Sequence, residues 1–239
     1  MTGEKNTTEE INDKRLAETF VPHFRYDKRE PFAMQGIGYT MYREAAKSPS
    51  CRRVIEAPSG GTAIEYALYY DYDIQHLYDL EHAFVYLDGE ERIVGVESSF
   101  HGKFVNSRIE GVTEYEGSHP VLYVQPGKHA VLASPEYFQL VLERERCCLE
   151  AAGAAGFLVM DMFAGRLSTD DETDRKVEAY LREHYAFRPS WEFTGESPDG
   201  RKPEELLVPY GQLDRMIVER LTERKEKICG GLDPEKYFN

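Results

Sequence analysis

Between Arg53 and Arg92 the chain has no Lys or Arg, yet residues 63–87, AIEYALYYDYDIQHLYDLEHAFVYL, thread acids through apolar and aromatic residues. Residues 61–100 hold nine acids (Glu65, Asp71, Asp73, Asp79, Glu81, Asp88, Glu90, Glu91, Glu97) and one base, Arg92. Nine minus one places −8 of the chain's net −14 in this stretch. Some of it is turn chemistry at 88–91. The rest must be buried among rings, and a buried carboxylate is costly unless it is paired or bound to a cation. A fold that buries this segment must bring it bases from elsewhere or a metal ion.

The chain can build such a core. It has 239 residues, 41% hydrophobic and 12% aromatic, which excludes global disorder. No run approaches the ~18–20 apolar residues of a membrane helix. The acidic balance argues against nucleic acid, which needs Lys and Arg against phosphate. Residues 1–20 lack the apolar core of a secretory signal and read as a flexible or loosely helical arm. Cys51, Cys147, Cys148 and Cys229 have neither disulfide-framework nor zinc spacing. They read as reduced thiols, and the expected location is cytoplasmic.

Turn signals organise the middle of the chain. Ser59-Gly60-Gly61, Asp88-Gly89-Glu90-Glu91 and Pro126-Gly127 separate strand-like runs. Downstream, the spacing predicts helices near 135–152 (Ser134-Pro135 start; Phe138, Val141, Leu142 and Leu149 near one face), 170–185 and 211–228. Thr169 with Glu172 fits a capping box, and Gly230-Gly231 a stop. The expected fold is β-rich α+β. An antiparallel β-sandwich with a site cavity spans 31–133, and a mainly helical extension at 134–239 packs on it.

His76, Asp79, Glu81 and His82 fall within seven residues. If 79–87 is a strand, alternation puts Asp79 and Glu81 on one face and His82 on the other. Hairpin arithmetic pairs Leu87 with Arg92, Glu81 with Ser98 and Asp79 with Phe100, which brings His101 to the Asp79 end. Two carboxylates and two imidazoles there form a mixed N/O divalent-cation site or an ordinary hydrogen-bonded cluster. Asp79→Ala should remove metal binding and, by relieving carboxylate repulsion, stabilise the metal-free protein. His129, after Pro-Gly-Lys, is the better cavity residue of the second hairpin, and His119 a strand start. No phosphate-binding glycine loop or GxSxG elbow occurs, and Cys147-Cys148 reads as packing.

The run from Gln75 to Leu87 resembles the GHRHDWE segment and following strand of the necrosis-inducing protein family. Ser98-Ser99-Phe100-His101-Gly102 is similar to that family's second histidine-glycine motif. Ser118-His119-Pro120-Val121-Leu122-Tyr123-Val124 and Gly127-Lys128-His129-Ala130 look like the HPVxYV…GxHA pattern of related vacuolar-sorting-like β-sandwich proteins. The resemblance covers about residues 62–133. It implies a β-sandwich whose acidic cavity holds a divalent cation on His76, Asp79 and Glu81, with Asp71 or Asp73 as an upstream ligand. Gln75, Leu77, Tyr78 and Leu80 replace the family's glycine, arginine, second histidine and tryptophan. The membrane toxicity of secreted members is not carried over. What is implied is a cytoplasmic relative that keeps the cavity.

Two functions follow. The first is a metal-dependent hydrolase or lyase acting on a small polar molecule, with Glu65, Tyr70 or His129 as acid/base groups. The second is a module that binds a carbohydrate or other polar ligand through the metal. A structural metal in an interaction protein is the third possibility. Ca²⁺, Mg²⁺, Mn²⁺ and Zn²⁺ all fit a ligand set of His76, Asp79, Glu81 and His101 with Asp71 or Asp73.

Overall fold

The computed structural model describes residues 2–141, 144 and 146–230. Helix α1 (Thr2–Phe20) leads into β1 (His23–Asp27), β2 (Gly36–Tyr42), β3 (Ala46–Lys47) and β4 (Val54–Ile55). The long strands β5 (Thr62–Tyr72), β6 (His76–Leu87) and β7 (Ile93–Phe100) follow, then β8 (Lys103–Asn106), β9 (Tyr115–Glu116), β10 (His119–Val124) and β11 (Val131–Leu132). The remainder is β12 (Gly156–Phe157), α2 (Asp171–Tyr185), β13 (Phe193–Thr194), β14 (Leu207–Pro209) and α3 (Tyr210–Cys229). Among the described residues, no helix is long and apolar enough to cross a membrane.

Seven strands form one sheet in the order β14-β2-β5-β6-β7-β8, with β12 on β6. Five form another, β11-β10-β1-β13, with β9 on β10. The protein is thus mixed α+β. The ribbon from β2 to β8 is antiparallel, but β1–β10, β6–β12 and β2–β14 are parallel pairs, so the sheets are mixed rather than wholly antiparallel. Strand β5 is buried on both faces, as its near-continuous apolar and aromatic run requires. Ile64, Tyr66, Leu68 and Tyr70 share one face with Ala83, Glu81 and Asp79 through the β5–β6 register. The five-stranded sheet covers that face: His129 stacks on Tyr70 at 3.8 Å, and Ser98 donates to the Val131 carbonyl at 2.5 Å. Ala67, Tyr69 and Asp71 face the other way, toward α3.

The β6–β7 connection differs from the expected register. Leu87 pairs with Ile93, a bulge follows at Tyr86/Leu87, and Ser98 stands opposite Ala83 rather than Glu81. The offset is even, so side chains keep their faces. At the far end Phe100 pairs with Lys103 across His101-Gly102, a two-residue turn with φ of 49° and 76°.

Residues 2–20, expected as a flexible or loosely helical arm, form a helix, and Leu16, Ala17 and Phe20 are buried. The Tyr66 hydroxyl donates to the Ala17 carbonyl at 3.0 Å, tying the helix to β5. Of the helix expected over 135–152, the described residues hold a 3-10 segment, Pro135–Leu140, capped by Ser134. Leu142, counted on its apolar face, and Gly231, counted in the final stop, lie outside the described residues. Just past residue 152, backbone amides dock on the turn that precedes β6: Gly153 N donates to Ile74 O at 2.8 Å and Ala155 N to Gln75 O at 2.9 Å. Gly153 and Gly156, at φ of 79° and 60°, make the required bends. Helix α2 is capped by Asp170, not by the expected Thr169–Glu172 box; Thr169 donates to Asp174 instead.

Helix α3 presses Leu213, Ile217 and Leu221, all fully buried, toward β2 and β5. The approach is close because β2 offers glycine: a Cβ on Gly38 would lie 2.6 Å from Leu213 Cδ2 and 3.0 Å from Tyr210 Cδ2. Gly38→Ala is expected to cost roughly 1–3 kcal/mol through overpacking. Urea denaturation should show a lower midpoint with an unchanged slope, and an unshifted midpoint would mean that α3 sits more loosely.

Candidate functional site

Two turns meet where β5 passes into β6. Asp73 accepts from the Gln75 amide at 2.6 Å and closes the first turn, which starts β6 at His76. The second, Gln125–Ala130, carries Gly127 and His129 at φ of 67° and 55°. Ile74 N donates to Gly127 O at 2.7 Å and stitches the two together. Lys128 then reaches Asp73 at 2.5 Å and the Gln75 side chain at 3.1 Å. His129 Nδ1 lies 2.8 Å from Asp79 Oδ2, and its Nε2 lies 3.6 Å from Glu30. Ser99 from β7 donates to Glu81. Three residues of this region, Tyr78, His101 and His129, hold positive φ, a conformation that side chains rarely adopt and that concentrates at functional sites.

The charges do not balance at Glu81. Burial, then the neighbouring Asp79 charge, pushes its carboxyl up to about 8. Burial works against charge on His129 too, but Asp79 and Glu30 outweigh it and raise the imidazole to about 9. Asp73 is also buried, yet His76, Lys128 and His129 hold it below the usual carboxylate range. Burial and the Lys128 charge hold His101 below the ordinary histidine value. At neutral pH the cluster therefore contains a protonated Glu81 beside an Asp79–His129 ion pair. His76 and Asp79 are half-buried and His101 is exposed, so it reaches the surface.

Three expected site residues lie elsewhere or out of reach. Asp71 faces α3, where Arg220 binds it at 2.6 and 2.8 Å and Arg224 at 2.8 Å; the arginines override burial and lower its carboxyl. Strand alternation forces this, since Asp71 follows Tyr70 and must point to the opposite face. Glu65 shares the face of Asp71 and meets Tyr42, Ser48, Ser50 and His82. His82 thus points away from Asp79 and Glu81. Tyr70 is fully buried beneath His129. His119 starts β10 and stacks on His23 at 4.1 Å, outside this cluster.

Glu30, Ser99 and Lys128 were not anticipated. The missing bases between Arg53 and Arg92 were the signal for Lys128, Arg220 and Arg224, but nothing local said which bases would arrive. Two groups of three have ligand atoms all within 4.8 Å of one another among the described residues: His23/His119/Glu204 and Cys51/Glu65/His82. The chain therefore has residue groups able to hold a metal ion, but His76, Asp79, Glu81 and His101, with or without Asp71 or Asp73, are not so grouped. Lys128 and His129 have already drawn Asp73 and Asp79 toward themselves.

The sequence matches no protein-family model and no curated protein. Solved structures similar to it are necrosis and ethylene inducing proteins. Necrosis and ethylene inducing protein 2, from the causal agent of cocoa's witches' broom disease, is 23% identical, with a TM-score of 0.36 over 50% of this chain and 67% of that one. NLPPya in complex with glucosamine is 19% identical, with a TM-score of 0.36 over 51% of this chain and 66% of that one. NLPPya in complex with mannosamine is 21% identical, with a TM-score of 0.35 over 51% and 68%. The likeness spans about half of the chain.

Proposed function

We propose that the protein is a binding module for a polar ligand of the carbohydrate class, with a divalent cation held at the Asp79–Glu81 end of the β5–β6 hairpin. The supporting observation is Glu81, a carboxyl that keeps a proton near neutral pH because burial, and then the neighbouring Asp79 charge, disfavours its ionised form. A cation can take the place of that proton. Asp79 and Glu81 would hold it, with His76 and Asp73 beside them and His101 at the margin. Oxygen-rich donors favour Ca²⁺, Mg²⁺ or Mn²⁺, and the imidazoles extend the choice to Zn²⁺. The bound ion would supply a fixed positive charge for ligand hydroxyls. In this reading the β part, 31–133, carries the site and 134–239 supports it. The free thiols fit a reducing, cytoplasmic setting.

Binding is favoured over catalysis because the expected acid/base groups are poorly placed. Tyr70 and His129 are wholly enclosed, and Glu65 faces the opposite side of the sheet. A hydrolase or lyase remains the second reading, on the strength of Glu81 as a proton carrier. Calorimetric titration with Mn²⁺, Ca²⁺, Mg²⁺ and Zn²⁺, then a sugar panel with and without chelator, tests both. Metal-dependent sugar binding that Asp79→Ala removes is the expected outcome. No metal-induced rise in melting temperature would leave the cluster as a polar network, and chelator-sensitive product formation would favour the enzyme.

A further inference from the structure

We propose that Cys51, Glu65 and His82 form a second, independent site for a divalent transition-metal ion of the zinc class. They lie on the face of β5–β6 turned away from Asp79 and Glu81, beneath the loop joining β3 to β4. Ser48 shapes that loop: its hydroxyl oxygen accepts from the Ser50 amide at 3.1 Å and the Cys51 amide at 3.0 Å. The turn sets Cys51 above Glu65, with Sγ 4.0 Å from Oε1. Alternation along β6 brings His82 Nε2 to 3.8 Å from the same oxygen.

Glu65 is 1% exposed, and among the described residues its hydrogen-bond donors are the hydroxyls of Tyr42, Ser48 and Ser50 and the thiol of Cys51. Among the described residues no Lys or Arg forms an ion pair with it, and Arg53 from the same loop is committed to Glu97 at 2.6 Å. A divalent ion bound by the Glu65 carboxylate and the Cys51 thiolate makes the site electrically neutral, which removes the cost of burying the charge. The Cys51 proton leaves to solvent as the S–metal bond forms, and the half-buried thiol gives it a way out. Ser50 Oγ donates to Glu65 and lies 2.8 Å from His82 Nε2, so it marks a point from which a small atom reaches both. Tetrahedral zinc with bonds of ~2.0–2.3 Å needs the donors closer than the 4.0 Å and 3.8 Å that separate Cys51 and His82 from Glu65, and Cys51 and His82, within 4.8 Å of each other, must draw together as well. Thiolate, imidazole and carboxylate together suit Zn²⁺ rather than Ca²⁺ or Mg²⁺.

Co²⁺ is the probe, because only a thiolate ligand gives it an intense near-ultraviolet charge-transfer band. One equivalent added to the reduced protein should produce that band, and Zn²⁺ should abolish it. Asp79→Ala should retain the band. Cys51→Ser and Cys51→Ala should lose it, and Glu65→Gln should weaken Co²⁺ binding by ~10–100-fold, the scale seen even for outer-shell losses. Without any substitution, Zn²⁺ should protect Cys51 from alkylation, read by peptide mapping. No band in the wild-type protein, a band that survives in Cys51→Ser, or Cys51 alkylated equally fast with Zn²⁺ would each overturn the site and leave Glu65 as a hydrogen-bonded buried acid. None of these results bears on the Asp79–Glu81 reading.

Discussion

Asp79→Asn should lower the stability of the metal-free protein by about 3–5 kcal/mol at neutral pH, the range for removing one partner of a buried ion pair. Asp79 Oδ2 lies 2.8 Å from His129 Nδ1, and the His129 side chain is fully enclosed. Carboxylate repulsion acts in the opposite direction, and from the sequence it was expected to dominate, so that losing Asp79 would stabilise. It does not dominate here, because Glu81 still holds its proton at pH 7 and offers Asp79 no charge to repel. The ion pair, by contrast, is fully formed, since His129 titrates near 9. Urea denaturation in chelator at pH 7, comparing wild type with Asp79→Asn, decides between the two. Equal or greater stability in the variant would mean that Glu30 and the stack on Tyr70 hold His129 without Asp79.

Local patterns carried much of this site. Turn dipeptides placed β5, β6 and β7, and period-2 alternation put Asp79 and Glu81 together and His82 apart. Alternation could not say which face Asp71 and Glu65 would share with the site, because β5 is buried on both sides and shows no polar face. The segment after Ser134 has helical spacing and a good cap, yet among its described residues it gives a 3-10 segment at Pro135–Leu140 and local turns such as Leu149 N to Arg146 O and Ala152 N to Leu149 O. Lys128 and Glu30 join the cluster across 55 and 43 residues of sequence from Asp73, respectively. Such contacts have no local signature. The absence of bases showed that partners must come from afar, and only the fold names them.

Glu81→Gln should flatten the fall in stability of the metal-free protein between pH 4.5 and about 8. In the unfolded chain Glu81 loses its proton near 4.5, while in the fold it keeps it until about 8. Unfolding therefore releases a proton across that window, so this group's contribution is full below 4.5 and disappears as pH rises through 8. One proton corresponds to a slope of at most about 1.4 kcal/mol per pH unit. His129 acts in the same sense between 6.5 and about 9. His82 and His101, both held below the usual histidine value, act in the opposite sense as pH falls through the acid range. The difference between wild type and Glu81→Gln isolates the Glu81 contribution, and it should shrink steadily as pH rises. The same proton links stability to the proposed cation. At pH 6.5, metal binding at the Asp79–Glu81 end should release about one proton, measured by calorimetry in buffers of different ionisation enthalpy. In Glu81→Gln that release should vanish and the affinity drop. A wild-type protein whose stability difference from the variant is independent of pH, or which takes up metal without releasing a proton, would show that Glu81 is ionised in the fold and that its cavity needs no cation to balance it.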